Sequence, residues 1–325
     1  HMKAVCFDTP GAPDVMKISN SEIPKINDEQ VLIEVKYAGV NRPDVIQREG
    51  NYPAPPNHSK VLGLEVSGYV YKIGANVKKF KKGDKVAALV NGGGYAEFCC
   101  SDEETTFKIP QNLSLKEAAT IPECFFTVWS NLIMRGKLKE KQKVLIHGGS
   151  SGIGVAAIQI LKLYKSKIFT TVGTNKKKKF CENLGVHNVF NYKETDFYEE
   201  IKKIENKGID IVLDYVGGDY INKNINLLKF DGKLINIGFL NGSHANINLM
   251  KIMLKRLTIT GSTLRIREKK YKGKILNDLK KIVFPNFENG KIKCYIDSVF
   301  KLKDVVSSHK YLEQGGHIGK IVLEI

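Results

Sequence analysis

The stretch VLIHGGSSGIGVAAIQI (144–160) carries the residue types and spacing best suited to chemistry in this chain. An apolar run enters a cluster of glycines and leaves through a helical pattern of small and aliphatic residues. Gly149 and Gly152 let the backbone approach a pyrophosphate, Ser150 and Ser151 add hydroxyl donors, and Gly154 with Ala157 keep the helix close to a sheet. The first turn, from Gly152 and Ile153, offers N–H groups and the positive end of the helix dipole to phosphates. A strand before the glycines and repeated strand–helix units after them make the pattern one for a dinucleotide. No Gly-Lys-Ser/Thr occurs, so a Walker loop is excluded.

Coenzyme choice is read from FTTVGTNKKKKF (169–180). Folds of this kind that bind NAD place an Asp or Glu at the end of the second strand to accept a ribose hydroxyl. Counted on from Gly154, that position falls within Thr171 to Asn175, where no acid stands. Gly173 closes the strand, Thr174 can donate, Lys177 lies behind it, and Tyr192 ends the next strand. A carboxylate there repels a 2′-phosphate, whereas a nearby cation attracts one. The pattern predicts NADPH, with Lys177 binding and Lys176, Lys178 and Lys179 solvated.

Other chemistries fit poorly. A catalytic zinc needs three Cys, His or carboxylate ligands around one ion. LGLEVSG (62–68) has Leu64 where a histidine is needed, and residues 91–100 hold only the pair Cys99-Cys100. The chain is read as having no metal site. The glycine pattern also fits short-chain dehydrogenases, which add a Tyr-x-x-x-Lys; Tyr198 and Lys202 match it, but inside an amphipathic helix too near the glycines.

These residues require two kinds of scaffold. Up to about residue 122 the chain reads as short β-branched runs closed by Gly or Asn, including VLIEVKYAGV (31–40), VSGYVYKIG (66–74) and DKVAALV (84–90). From 123 strands alternate with helices, as in KIFTTVG (167–173), HNVFNY (187–192), DFYEEIKKIEN (196–206), GIDIVLDYVGG (208–218), GKLINIGFL (232–240) and LTITGSTL (257–264). Phe197, Ile201 and Ile204 share one face of the helix at 196–206. Such alternation predicts a parallel sheet covered on both faces. The tail from 292 returns to strands and is expected to rejoin the first part. The expected domains are 1–122 with 292–325, β-rich and discontinuous, and 123–291, a doubly wound α/β unit.

Composition bounds the rest. At 325 residues and 42% hydrophobic content, the chain supports two cores. No apolar run reaches membrane-spanning length and no charged-then-apolar leader is seen. The six cysteines form no C-x-x-C pair, which suggests reduced thiols and a cytoplasmic setting. A formal charge of +17 raises RNA binding, but only six arginines occur and no basic stripe is interleaved with aromatics. The charge reads as a solvated lysine surface.

AGVNRPDVIQREGNYPAPP (38–56), LGLEVSGYV (62–70), HGGSSGIGVAAIQI (147–160) and HIGKIVLEI (317–325) resemble the zinc-free quinone oxidoreductase branch of the medium-chain dehydrogenase/reductases. NYKETDF, LDYVGGDYINKNINLLKFDGKLINIG and RIREKKYKGKI are similar to its p53-inducible subgroup. The resemblance covers nearly the whole chain. It implies a GroES-like catalytic domain, a Rossmann domain, a cleft between them, and NADPH-dependent reduction of quinones. It places nicotinamide-side contacts on Asn41, Tyr52, Thr127, Phe239 and Leu240. Phosphate and ribose contacts fall on Ser150, Ser151, Gly152, Ile153, Gly173, Thr174, Lys177, Tyr192, Val216 and Gly217, with edge contacts on Leu264 and His317. Tyr52 is the candidate proton donor, and Thr127 is expected to begin a helix and hold the carboxamide. Phe239 and Leu240 are expected to end a strand. Alternative readings are an enoyl-thioester or alkenal reductase and a non-catalytic NADPH- or RNA-binding protein. RLTITGSTL (256–264) is expected to be an edge strand through which a homodimer forms.

Overall fold

The alternating run VLIEVKYAGV forms the strand Gln30–Val40, which organises a seven-stranded sheet in the computed structural model, whose description covers residues 1–325. Glu65–Ile73 pairs antiparallel along one side of it. Two strands share its other side: Phe98–Asp102 pairs with residues 30–34, and the C-terminal strand Lys320–Glu324 pairs with residues 37–40. Lys85–Leu89, Thr106–Lys108 and Ile296–Lys301 complete the sheet. Val31, Ile33, Val35, Val66, Val70, Val86 and Leu323 bury their side chains in its core.

Chain contacts divide the molecule into two compact units, His1–Phe126 with Arg265–Ile325 and Thr127–Leu264. The first unit is discontinuous, and the chain returns to it at Arg265, ahead of the strands that follow 292. The reason is local: the helix Lys269–Asp278 is tied down through Lys272, whose ammonium donates to Asn91 Oδ1 at 2.8 Å. The forward boundary lies at 126/127 rather than 122/123, because the helix Pro122–Val128 carries its first turns in the first unit.

The second unit is a six-stranded sheet with every pairing parallel. Its order is Asn188–Asn191, Lys167–Val172, Lys143–His147, Ile209–Asp214, Leu228–Asn236, Thr258–Gly261. Numbered within the unit this is 3-2-1-4-5-6, the Rossmann order, with a topological switch point between Lys143–His147 and Ile209–Asp214. Leu145, Phe169, Val212 and Leu234 pack in the core with Phe197 and Ile201 of the helix Phe197–Ile204. Ile204, expected on the same face, is 43% exposed in the last turn. Thr258–Gly261 is an edge strand, as expected. No helix is long and apolar enough to cross a membrane.

Candidate functional site

The carboxyl ends of the six parallel strands gather the second unit's predicted residues. His147 ends the first strand and Gly148 follows at φ +70°, a conformation open to glycine. A side chain at 148 would collide with the Tyr215 hydroxyl, and one at Gly154 would lie 2.2 Å from the Gly148 carbonyl oxygen. The tight turn and the close helix–strand approach are therefore both paid by glycine. Ser151 caps the helix Gly152–Leu163: its hydroxyl accepts from the Gly154 N–H at 3.0 Å and donates to the Gly148 carbonyl at 2.8 Å. That engages its proton within the turn, so Ser151 shapes the loop. The N–H groups of the first turn, at Gly152 and Ile153, have no preceding helical carbonyl to satisfy them. Ser150 is buried within the turn, and Gly149 sits against Thr170.

Beneath the loop, burial holds His147 neutral. Its ring lies 3.0 Å from Thr171 Oγ1 and 2.7 Å from Asn224 Oδ1. Asp214, fully buried at the end of the fourth strand, accepts from the N–H groups of Val216 at 2.9 Å and Gly217 at 3.0 Å. Those two amides are thus spent on the loop, leaving carbonyls and side chains to meet a ligand. Leu240 N–H donates to Tyr215 and Asn241 N–H to Val216, which sets Phe239 beside Gly217. Phe239 and Leu240 lie in the loop past Asn236, not at a strand end, and each is 48% exposed. The strand stops early because the backbone beyond it turns to pair with residues 215–218.

Thr174 caps the helix Asn175–Asn183, its hydroxyl accepting from the Lys177 N–H at 3.2 Å. A Cβ on Gly173 would lie 2.8 Å from the Tyr192 hydroxyl, so these residues share one pocket wall. Lys177 and Lys178 are half-buried, Lys176 and Lys179 exposed. One carboxylate does stand near: Glu194 Oε1 accepts from Asn175 Nδ2 at 2.8 Å. Residue counting along the second strand misses it because it arrives from the turn after the third.

Thr127 lies in the last turn of Pro122–Val128 and does not begin a helix; Pro122 starts that helix five residues earlier. Its carbonyl accepts from Asn131 Nδ2 at 2.8 Å, and Asn131 in turn accepts from Ser262 Oγ at 2.7 Å, two residues before half-buried Leu264.

The first unit holds a second cluster, most of which sequence reasoning missed. Pairing Val40 with Ile321 and Ala38 with Val66 brings Lys320 to Asn41 and Glu65 to Gly39. Gly39 is required, since a Cβ there would lie 1.9 Å from Glu65 Oε2. Lys320 pairs with Glu65 at 2.7 Å and donates to Asn41, and Asn41 Nδ2 donates to Glu65 at 2.8 Å. All three are buried. Asp44, whose carboxyl burial raises to about 6, accepts from the Asn41 N–H and from the Tyr95 hydroxyl. Arg48 donates to His309 Nδ1 at 2.7 Å; burial and Arg48 keep that ring neutral down to about 3, so its Nε2–H faces the Tyr95 oxygen at 3.0 Å. A directed chain thus runs from Arg48 through His309 and Tyr95 to Asp44, which also accepts from the Asn41 N–H. GLEVSG and HIGKI offer a sequence signal only for the Lys320–Glu65 pair, Glu65 standing beside Leu64.

Tyr52 is half-buried, with the Arg265 guanidinium 5.9 Å over its ring and its hydroxyl pushed above the usual range by burial. Arg265 is anchored to Gln47 at 2.6 Å. His317 is half-buried, 6.4 Å from the Tyr311 ring. Asn41, Tyr52 and His317 belong to the first unit; Thr127, Leu264 and the glycine-loop residues belong to the second. No group of three or more His, Cys, Asp or Glu is placed to hold a metal ion.

Comparison with known proteins agrees with both architectures. Residues 27–111 match the alcohol dehydrogenase GroES-like domain, and residues 152–280 match the zinc-binding dehydrogenase family. Quinone oxidoreductase of Homo sapiens is 34% identical, the match covering 99% of this chain and 97% of the relative. Escherichia coli quinone oxidoreductase, solved as a complex with NADPH, matches with a TM-score of 0.89 at 28% identity, covering 99% of this chain and 100% of that one. The CurK enoyl reductase structure matches with a TM-score of 0.89 at 26% identity, covering 99% of each chain.

Proposed function

Because the chain belongs to the quinone oxidoreductase branch of the medium-chain dehydrogenase/reductases, we propose that this oxidoreductase uses NADPH to reduce quinones without a metal ion. The observation that carries the reading is the convergence of Gly148–Ile153, Gly173–Lys177, Tyr192, Val216, Gly217, Phe239 and Leu240 at the carboxyl edge of one parallel sheet, where open α/β folds bind ligands. NADPH, when bound, supplies the hydride.

The residues present fit that coenzyme. The N–H groups of Gly152 and Ile153 hold the pyrophosphate, and the missing side chains at 148, 149 and 154 make room for the turn that presents them. Thr174, Lys177 and Tyr192 receive the 2′-phosphate, with the N-terminus of Asn175–Asn183 adding its dipole. Thr127, Phe239 and Leu240 orient the nicotinamide end, and Leu264 borders it. Within the first unit, the Lys320–Glu65 pair fixes Asn41. Zinc does not fit: Leu64 is a buried hydrocarbon, and Lys320 supplies the positive charge beside Glu65.

The CurK match supports enoyl reduction as a second reading, since the same hydride transfer serves both acceptors. Steady-state rates with naphthoquinone and phenanthrenequinone against a 2-enoyl thioester separate the two: faster quinone turnover supports the first reading, faster thioester turnover the second.

A homodimer is part of the proposal. The edge strand Thr258–Gly261 exposes Ile259, and the helix Leu249–Lys255 buries none of its residues, leaving Leu249, Met250, Met253 and Leu254 54–70% exposed. Such a patch is unusual on a monomer. Light scattering at micromolar concentration is expected to give twice the chain mass; a monomer removes the claim. Six free cysteines support a reducing compartment such as the cytoplasm.

A further inference from the structure

We propose that the first unit binds a small oxyanion, a phosphate or carboxylate group, among Arg265, Lys272 and His58. All three residues belong to that unit, so the site needs neither coenzyme nor acceptor. Arg265 and Lys272 come from the stretch RIREKKYKGKI, the first just ahead of the helix Lys269–Asp278 and the second within it. Both cations are buried, at 6% and 3% exposure. Every group they bond is neutral. Arg265 donates to Gln47 Oε1 at 2.6 Å and to the carbonyls of Asn91 at 3.2 Å and Ser59 at 3.4 Å. Lys272 donates to Asn91 Oδ1 and to the Arg265 carbonyl, each at 2.8 Å. Asp102, Asp44 and Glu123 act on these cations only through space, none of them in an ion pair with either.

A charge taken out of water is ordinarily paired. Here two lie close together with no bonded counter-charge, and their donors are not used up. Arg265 Nε is buried without a hydrogen-bond partner, and the two acceptors on Lys272 leave it a third N–H. His58 is the third member. Its Nδ1 is likewise buried and unpartnered, and burial with the two cations pushes the ring toward its neutral form, Asp102 opposing.

His58, Ser59, Asn91, Gly92 and Asp102 line a cavity of about 230 Å³. Ser59 and Asn91, whose carbonyls hold Arg265, are thus part of its wall. Gly92 keeps that wall thin: its φ of +106° suits glycine, and a Cβ there would lie 2.8 Å from Arg265 Nη2. Room, unused donors and unpaired positive charge therefore meet at one place. An oxyanion there accepts from Arg265 Nε and from Lys272. It also draws a proton from solvent onto His58, whose imidazolium then donates as well. Asp102 and Glu22 line the same cavity and oppose negative charge, which limits the ligand to one such group.

The test titrates the full chain with sodium phosphate and with sodium acetate, against sodium chloride at matched ionic strength, with no coenzyme or acceptor present. Thermal denaturation and the His58 ring-proton resonances are followed, His58→Gln serving to assign the latter. The expected result is saturable stabilisation by an oxyanion over chloride, with His58 moving toward its protonated position at neutral pH. Tighter binding of phosphate assigns a phosphoryl group to the site, and tighter binding of acetate a carboxylate. Lys272→Gln and Arg265→Gln are each expected to weaken that binding at least about tenfold. Where either substitution prevents folding, the two readouts on the parent decide. No stabilisation beyond chloride, an unmoved His58, or a folded Lys272→Gln or Arg265→Gln variant that binds within about twofold of the parent overturns the proposal.

Discussion

In the second unit the groups proposed to meet the coenzyme are largely main-chain N–H and small residues from one contiguous stretch, Gly148 to Ile153, placed by a strand that ends and a helix that begins. In the first unit they are polar side chains from residues 41, 65 and 320, two of them charged, brought together by sheet register. The first arrangement is neutral and suited to a charged ligand through its dipoles. The second is already charged and buried, and it is stable only while each charge keeps its partner.

The largest expected effect comes from breaking that pairing. Lys320→Met leaves Glu65 uncompensated, with Asn41 its one remaining side-chain donor, and is predicted to cost about 3–5 kcal/mol in chemical denaturation. A loss under about 1 kcal/mol would place the pair among the weak surface kind and erase the contrast between units.

A second prediction sharpens it through pH. An unfolded glutamate titrates near 4.5, whereas folded Glu123 does so near 8. Between those values the unfolded chain releases a proton the folded one keeps, so stability falls as pH rises from 4.5 to 8 and then levels. Glu123→Gln is predicted to flatten that slope and to be more stable than the parent at pH 8. Identical slopes in parent and variant contradict it.

The smallest effect belongs to the coenzyme pocket. Glu194 bonds Asn175 at the surface, so Glu194→Gln is predicted to tighten NADPH binding by about two- to threefold and to leave NADH unchanged. Weaker NADPH binding would make Glu194 a positioning residue for Asn175 instead.

The same contrast explains what could be read in advance. The glycine loop, the six parallel strands and the position of Lys177 follow from short-range pattern, because turn chemistry and strand periodicity are local. Thr127 and Phe239 were placed in the right segments with the wrong local setting: one ends a helix started by Pro122, and the other lies in a loop fixed by pairing with residues 215–218. A serine at 151 reads equally as a ligand donor or a helix cap, and the sequence alone does not show that its hydroxyl caps Gly152–Leu163. The Arg48–His309–Tyr95–Asp44 chain had no sequence signal, since His309 meets Arg48 across 261 positions. Glu123 carries no sequence signal, because the carboxylate that sets it apart, Glu65, comes from 58 positions away.

The central claim is that the pocket beyond the second Rossmann strand selects a 2′-phosphate through Lys177. Fluorescence titration of the parent and Lys177→Glu with NADPH and with NADH tests it most directly. The parent is predicted to bind NADPH at least about tenfold more tightly, a difference of about 1.4 kcal/mol, and the variant to lose that preference while still binding NADH. A parent that holds both coenzymes equally, or a variant that keeps the preference, contradicts the account.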